Sequence, residues 1–377
     1  MKRAVITGYG VVSALGPNKA ALAEAIATGR SGVRAVTLFD TTNCHCHTAA
    51  QVDIDNGDIS RADSFLAQAT NEALDDAGLP KNLARLAVFQ GTAHGPLDRW
   101  EHGDRACRGL PIHLGEHLWS SLAEQVSVTT LTNACVASTW AAGLALNAIR
   151  QGKTELALVA GAESLTEFLF RGFDALRSLT STHCRPFDRY RDGLVLGEGA
   201  AVLVLEEMTA AHRRGAPIRM ELAGFGTAAD AHHLTAPDVS GKGAAMALKL
   251  ALKDASEIHE IDYINLHGTG TPRNDRMEIN AIQRVFGKEL ATIHMSGTKA
   301  MTGHASGAAG VMELAICLTA QTNDLIPYTV GLEQPDTKFP ECDLVAGEPR
   351  RKHCRILINT NSAFGGNNAA IVLRECP

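Results

Sequence analysis

The chain has 377 residues, of which 45% are hydrophobic and 20% charged, and its formal net charge at pH 7 is −6. The length and apolar content suit one large globular domain or two fused domains. The negative charge, without any block of lysine and arginine, argues against a general nucleic-acid-binding protein.

The N-terminus and the cysteines bear on the cellular compartment. The chain begins MKRAVITGYG, a short basic start that runs into a strand rather than a signal peptide, and no run of 18 apolar residues suggests a membrane span. Nine cysteines are scattered without a disulfide framework. We therefore expect a reduced, cytoplasmic protein with free thiols and no membrane association.

Two motifs near the start suggest ligand sites. An apolar strand at 3–7 leads into GYGVVS, a near match to the dinucleotide fingerprint GxGxxG, but no acidic residue closes a second strand about 20 residues later. We interpret that match as chance. The segment TTNCHCH at 41–47 places cysteine and histidine side by side, not at the spacing of a tetrahedral zinc site. We expect an irregular loop there and no metal.

Helices are predicted at 18–29 and 60–77, and a strand at 86–90, before a segment at 95–124 without clear periodicity. Two histidines of this segment, at 113 and 117, are spaced as zinc ligands on one helix face are, but no HExxH motif is formed. We favour a solvated helix face over a metal site.

The segment at 127–162 predicts a strand, a turn, a helix at 137–150 and a second strand, with Cys135 at the strand-to-helix turn. A thiol in this position faces a helix N-terminus, whose partial positive charge favours the thiolate. A single cysteine in such a turn is also compatible with a buried structural role. Its function therefore depends on partners elsewhere in the chain.

The order strand, helix, strand recurs in the second half of the chain, which predicts a duplicated α/β architecture. We expect the first half to span 1–212 and the second half to span 213–377. The chain ends with a predicted hairpin, strands 354–360 and 369–374 around the turn NSAFGGNN.

Two histidines also stand at strand ends. A buried strand at 261–266 is followed at once by His267, and a strand at 292–296 leads to a glycine-rich loop that contains His304. Sites in α/β folds collect at the carboxyl ends of strands. Together with Cys135, these histidines favour nucleophilic catalysis.

Six segments, in this order, make the chain resemble the β-ketoacyl-[acyl-carrier-protein] synthases, the elongating condensing enzymes of the thiolase fold. They are VITGYGVVSALG, NACVAS, RPFDRYRDGLVLGEGAAVLVLE, INLHGTGTPRND, SGTKAMTGHASGAAGVMEL and NSAFGGNN. The resemblance covers the whole chain. It implies an α/β fold of two thiolase-like βαβαβαββ halves in five layers, α-β-α-β-α.

The resemblance implies a Cys-His-His active site. Cys135 matches the nucleophile, and His267 and His304 match the histidine pair. Lys299 and Glu313 match the supporting charged residues of the family. We expect Lys299 to lie close to His304 and to disfavour a positive charge on that ring.

The resemblance also implies residues that hold the substrate. Thr269 and Thr271 match the threonines that bind the phosphopantetheine arm. Phe364, followed by Gly365, matches the gating phenylalanine. The backbone N–H of Phe364 is expected to join that of Cys135 in an oxyanion hole.

The implied reaction is a decarboxylative Claisen condensation of an acyl-cysteine with malonyl-carrier protein, in fatty acid or polyketide-type synthesis, without a metal or redox cofactor. The implied partners are an acyl carrier protein and a second subunit, either an identical chain or a related ketosynthase-like one. Carrier proteins are acidic, so we expect a basic rim at the tunnel mouth. Candidates for this rim are Arg61, Arg99, Arg105 and Arg108.

Two regions depart from the family pattern. The segment at 95–127 is shorter than its counterpart, which contributes to the subunit interface and the acyl tunnel. In the gating turn, Ser362 and Ala363 replace the usual phenylalanine and glycine, and alanine restricts backbone freedom. The AFGGNN turn resembles ketosynthases of aryl-polyene and related pathways.

Three other functions remain open at this point. A chain-length-factor-like subunit shares the fold but normally lacks the active cysteine, which is present here as Cys135. An acyltransferase or thioesterase of the same fold would need only one histidine base. A binding module would form no acyl-enzyme.

Overall fold

The computed structural model describes residues 1–54, 59–103, 110–256, 258 and 260–376. Among these residues no helix is long and apolar enough to cross a membrane. The strands are β1 Ala4–Ser13, β2 Val33–Ala35, β3 Thr48–Ala50, β4 Leu83–Gly91, β5 Ala123–Leu131, β6 Leu156–Glu163, β7 Gly199–Glu207, β8 Met220–Ala229, β9 Tyr263–Leu266, β10 His294–Gly297, β11 Leu325–Ile326, β12 Asp343–Leu344, β13 Arg350–Arg351, β14 Ile356–Ser362 and β15 Asn367–Arg374. The helices are α1 Lys19–Thr28, α2 Arg61–Ala77, α3 Leu97–Glu101, α4 Glu116–Leu122, α5 Ala137–Arg150, α6 Glu167–Ala175, α7 Met208–Arg214, α8 Lys242–Ala255, α9 Pro272–Phe286, α10 Lys299–Thr302 and α11 Ala309–Thr322.

The strand order shows the duplication directly. Five strands of the first half pair in the order β5-β4-β6-β7-β1, and five of the second half pair in the order β10-β9-β14-β15-β8. In each set, the strand that comes third in the sequence, β5 or β10, lies at one edge. The strand that comes first, β1 or β8, lies at the other edge. The pattern of parallel and antiparallel pairs is also the same. The two sets are joined through β1 and β8 by two residue pairs, Val5↔Glu221 and Ile6↔Met220.

Helices separate and cover the two sets of strands. α2 packs on β1, β6 and β7, and α8 and α9 cover the second set. Between the sets lie α5 and α11, which contact strands of both halves and each other. The result is the expected five-layered α-β-α-β-α arrangement. The largest apolar core lies in the middle layer, where both faces of α5 and α11 are buried.

The middle layer is closely packed because its residues are small. α5 has the sequence ASTWAAGLALNAIR, and its alanines and glycine are almost entirely buried. A β-carbon at Gly91, the last residue of β4, would overlap the backbone N of Ser138 in the first turn of α5. The strand end therefore touches the beginning of the helix, and this contact positions the turn that carries Cys135.

Most predicted elements are found, and the segment without periodicity also contains helices. The helix expected at 137–150 is α5, and the final hairpin is formed by β14 and β15. Residues 95–124 contain α3, α4 and a 3-10 turn. The TTNCHCH segment lies outside any helix or strand up to His47, and the Asp174 carboxylate accepts the backbone N–H groups of His45 and Cys46.

Candidate active site

Three loops at the ends of sheet strands meet inside the molecule. β5 ends at Leu131, and Cys135 follows in a 3-10 turn, Ala134–Val136, that leads into α5. His267 comes directly after β9, and His304 follows β10 and the short helix α10. All three side chains are buried and line one cavity.

The thiol and the two imidazoles are in close proximity. Nε2 of His304 lies 3.2 Å from Sγ of Cys135. The rings of His267 and His304 are nearly perpendicular, at 87°, with centroids 5.2 Å apart. Ala134, just before the thiol, has a φ of 54°, which is strained for a residue with a β-carbon. The backbone thus maintains a strained turn at the residue that presents the thiol.

A buried ion pair lies behind His267. Lys299 and Glu313, which are 1% and 3% exposed, form a salt bridge. The Lys299 ammonium also donates to Nδ1 of His267 at 3.1 Å and to the His267 carbonyl oxygen at 2.5 Å. Lys299 is thus hydrogen-bonded to His267 and not to His304, while its charge acts on His304 as expected.

Both imidazoles are neutral near pH 7. Burial holds the pKa of His267 well below its usual value, and the charge of Lys299 lowers it further. Burial and Lys299 lower the pKa of His304 in the same way. Lys299 therefore disfavours a positive charge on His304, as expected, and on His267 as well.

The tautomer of His267 is held by a neighbour, whereas that of His304 is not. Nδ1 of His267 accepts from the Lys299 ammonium, so the ring proton must be on Nε2. Nδ1 of His304 has no hydrogen-bond partner among the residues that the structure describes. The environment of His304 therefore leaves both tautomers open, and Nε2 can either accept a proton or donate one.

The thiol is not ionised at rest. Burial raises the pKa of Cys135 to about 12, while the charge of Lys299 and the N–H groups of Cys135 and Phe364 lower it. The N–H of Cys135, in the turn that leads into α5, favours the thiolate as expected, but desolvation outweighs this effect in the resting site. Cys135 needs a base in order to react, and Nε2 of His304 is in position.

The NSAFGGNN turn lies beside the thiol, and the backbone N–H of Phe364 acts on it. The ring of Phe364 stacks on that of Phe173, with centroids 5.6 Å apart and an interplanar angle of 14°. Gly365 donates its N–H to the carbonyl oxygen of Leu234 at 2.7 Å, so it is engaged outside the oxyanion hole. Ala363 has a φ of −137°, an extended conformation that does not require glycine.

The cavity has a volume of about 410 Å³ and opens to solvent. Cys135 and the two histidines line its inner end. Thr269 and Thr271 line its wall, with their hydroxyls 3.0 Å apart. Lys299, Glu313 and Gly365 are not part of the lining. Of the nine residues expected in the site, six therefore face the cavity and three support it.

Two exposed arginines stand at the mouth of the cavity. They are Arg177 and Arg273, and neither guanidinium has a hydrogen-bond or ion-pair partner in the described part of the chain. Arg61, expected at this rim, is instead buried in an ion pair with Glu198. Arg99 does not line the cavity. Arg105 and Arg108 lie outside the described residues.

Two buried residues that support the site, Asn361 and Glu278, were not predicted from the sequence. Nδ2 of Asn361 donates to Glu313 at 2.6 Å, and Oδ1 of Asn361 accepts from the hydroxyl of Thr139 at 2.6 Å. The buried Glu278 carboxylate accepts the backbone N–H groups of His267 and of the next residue, each at 2.7 Å. Asn361 is the first residue of the NSAFGGNN turn, and Glu278 lies in the helix that follows His267. Their positions within these motifs were the only features of the sequence that could have indicated a role in the site.

Comparison with known proteins identifies the family. The model of the β-ketoacyl synthase N-terminal domain matches residues 1–211, and that of the β-ketoacyl synthase C-terminal domain matches residues 219–333. The chain belongs to the β-ketoacyl synthase family. Members of this family are condensing acyltransferases, and this ketosynthase is one of them.

Relatives from fatty acid and polyketide synthesis are about equally similar to the ketosynthase. It is 35% identical to a putative polyketide β-ketoacyl synthase 1 of Streptomyces halstedii, over 99% of this chain and 98% of the relative. It is 33% identical to the 3-oxoacyl-[acyl-carrier-protein] synthase 2 of Vibrio harveyi, over 99% of each. Its fold matches the structure of the ishigamide ketosynthase/chain length factor, with a TM-score of 0.89, 33% identity and complete coverage of both chains.

Proposed function

We propose that Cys135 is the nucleophile of a decarboxylative Claisen condensation in which an acyl-cysteine reacts with malonyl-carrier protein. In the first half-reaction, Nε2 of His304 takes the thiol proton as Sγ attacks the acyl thioester. The N–H groups of Cys135 and Phe364 hold the oxyanion. The C–S bond to the phosphopantetheine thiol breaks, and this leaving thiolate takes the proton from His304.

In the second half-reaction, malonyl thioester occupies the cavity and loses CO₂. Negative charge develops on its thioester oxygen, where Nε2–H of His267 and Nε2–H of His304 donate hydrogen bonds. The carbanion forms a C–C bond to the acyl carbonyl carbon, and the C–S bond to Cys135 breaks. The products are CO₂, a β-ketoacyl thioester and the Cys135 thiolate, which takes a proton from solvent to become the free thiol again. Neither step needs a metal or a redox cofactor, because loss of CO₂ supplies the carbanion.

The observation that carries this proposal is the presence of two neutral imidazoles in one buried site with the thiol. A thioesterase or simple acyltransferase needs one histidine as base. A second imidazole with its tautomer held by Lys299 has no task in hydrolysis. It does have a task in decarboxylation, because two neutral donors stabilise an enolate without protonating it.

The substrate arrives on the 4′-phosphopantetheine arm of an acyl carrier protein. We propose that Thr269 and Thr271 hold this arm and that Arg177 and Arg273 contact the acidic carrier. The position of the threonines on the cavity wall and of the exposed arginines at its mouth supports this. The acyl group belongs to fatty acid or polyketide-type synthesis, including aryl-polyene synthesis.

A second subunit, identical or related, is also proposed. β5 forms the edge of the sheet and is largely exposed, and no strand among the described residues pairs with its outer side. The two halves are proposed to divide at 1–212 and 213–377, within α7, between the last strand of one repeat and the first strand of the next. We propose a cytoplasmic location, which is consistent with the eight free cysteines of the described chain.

The test is an assay of condensation and of acyl-enzyme formation with carrier-bound thioesters. Cys135→Ala is expected to abolish condensation, and intact-protein mass spectrometry should find the acyl group on Cys135 in the wild type. Omission of malonyl-carrier protein should leave the acyl-enzyme in place. Full condensation by Cys135→Ala would reject the proposal, and rapid hydrolysis of the acyl-enzyme without malonyl substrate would favour a thioesterase.

A further inference from the structure

A second acid and base pair, formed by the buried Glu163 and the partly exposed His94, acts electrostatically on Cys135. Glu163, at the end of β6, is 1% exposed, and its Oε1 accepts from the hydroxyl of Thr92 at 2.7 Å and from the backbone N of Ala93. Nδ1 of His94 lies 3.6 Å from Oε2 of Glu163. This distance suits an ion pair but is too long for a hydrogen bond. Both atoms are buried without a hydrogen-bond partner among the described residues.

This pair packs against the loops that carry the reacting groups. β4 ends at Gly91, where a β-carbon would overlap the backbone N of Ser138 in α5, just after Cys135. A β-carbon at Gly307, three residues after His304, would overlap the backbone N of Ala93. The segment that holds His94 is therefore enclosed between the nucleophile helix and the histidine loop.

Other buried carboxylates near the end of β6 have strong partners. Glu198 forms an ion pair with Arg61, with Nη2 of the arginine 2.5 Å from Oε1. Asp98 accepts three hydrogen bonds from two serine hydroxyls and a backbone N–H. For Glu163, His94 is the only group able to carry positive charge that contacts it within the described chain.

The electrostatics of the two groups agree with the geometry. Burial alone would lower the pKa of His94, but the Glu163 carboxylate outweighs it and the pKa is raised. The charge of Glu163 raises the pKa of Cys135, against the effect of Lys299. The charged and titratable groups that act on the thiol are therefore Glu163, Lys299 and the adjacent His304.

We propose that His94 is a positioning residue that controls the reactivity of the nucleophile: its imidazolium neutralises the buried Glu163 carboxylate, which otherwise opposes formation of the Cys135 thiolate. The proposal deepens the proposed function, since it takes Cys135 as the nucleophile. While His94 is protonated, the pair is neutral and the thiol proton passes to His304 more easily. When His94 loses its proton, the uncompensated carboxylate makes the same transfer harder.

The experiment measures the rate at which iodoacetamide alkylates Cys135, followed by peptide mass spectrometry between pH 6 and pH 9. At pH 7, His94→Gln should slow this alkylation by about tenfold, because one unit of pKa changes the thiolate fraction tenfold. Glu163→Gln should alkylate at least as fast as the wild type at pH 7 and faster at pH 9, and the double variant should show none of the slowing of His94→Gln. Lysine at position 94 keeps its charge at higher pH. At pH 9 the His94→Lys variant should therefore be alkylated faster than the wild type.

The matched control is His113→Gln. Nδ1 of His113 lies 3.1 Å from Oε2 of Glu116 in a partly exposed pair, and neither residue lines the cavity. This variant should alkylate like the wild type.

Slower alkylation in both His94→Gln and Glu163→Gln would indicate a merely structural role and overturn the proposal. Equal rates in His94→Gln and wild type would also overturn it. If Glu163→Gln does not fold, the pH profiles of His94→Gln and His94→Lys decide alone. Failure here leaves condensation by the wild type and its loss in Cys135→Ala untouched, so the two proposals fail separately.

Discussion

The ammonium of Lys299 lies 3.1 Å from Nδ1 of His267, and this contact makes the two histidines of the site chemically different. His267 can only donate from Nε2 into the cavity. His304, whose Nδ1 has no partner in the described chain, can accept the proton of Cys135 and later donate it. One ring is therefore suited to charge stabilisation and the other also to proton transfer.

This difference predicts that alanine variants of the two histidines separate the half-reactions. His267→Ala should reduce malonyl decarboxylation by about 10²- to 10³-fold, the usual effect of losing one oxyanion donor, while acyl transfer to Cys135 is retained. His304→Ala should reduce both, because a thiol with a pKa of about 12 loses its base. Release of labelled CO₂ and mass spectrometry of the acyl-enzyme measure the two steps. Identical profiles for the two variants would contradict the assignment.

Loss of the buried lysine should destabilise the protein strongly. Lys299→Met leaves the Glu313 carboxylate buried without its cation, which costs about 3–5 kcal/mol of the free energy of unfolding. The control is Arg171→Met, which breaks the exposed pair with Glu167 and should leave the free energy of unfolding nearly unchanged. Urea titration measures both. A similar small loss in the two variants would argue that Lys299 does not compensate Glu313.

Stability should fall as the solution becomes acidic, partly because of the neutral histidines. The pKa values of His267 and His304 are lowered in the folded state, so the unfolded chain binds protons that the folded chain does not. The stability they contribute is complete above pH 6.5 and decreases below it, by about 1.4 kcal/mol per histidine at pH 5.5. The measurement is the free energy of unfolding at pH 7.5 and pH 5.5. His304→Asn should lose less between these values than wild type, and an equal loss would show that His304 is protonated in the folded state.

Charge reversal at the cavity mouth should weaken the binding of carrier-bound substrates but not of small thioesters. Arg273→Glu and Arg177→Glu should raise KM for acyl-carrier protein by about tenfold, since rim charges chiefly affect association with an acidic partner. KM for a small acyl-pantetheine thioester should not change. Arg284→Glu, near the other end of α9, makes the same charge change about 16 Å away and serves as the control. An equal rise in KM for both substrates would show that Arg273 and Arg177 do not act through docking of the carrier protein.

The sequence predicted many of the individual helices and strands, because these depend on short-range patterns. Cys135, His267 and His304 each stand directly at a strand end or in a glycine-rich loop, and periodicity locates such positions. The final hairpin and α5 were identified for the same reason. Strand order, in contrast, was not predicted; the resemblance supplied the architecture.

Side-chain directions and burial were beyond the sequence. The sequence could not show that the Lys299 ammonium is hydrogen-bonded to His267. Nor could it show that desolvation of Cys135 outweighs the N–H groups that favour its thiolate. Arg61 looked like a surface cation until its partner, Glu198, was seen 137 positions away in the chain.

The repeated strand order has an evolutionary consequence. Cys135 follows β5, and Lys299 and His304 follow β10, so Cys135 and His304 occupy corresponding positions after the third strand of each half. A single ancestral half could offer only one of these loops, and two copies would have had to associate in order to face them toward each other. The present chain has the arrangement of two such halves joined in one polypeptide, with chemically different residues in the two corresponding loops.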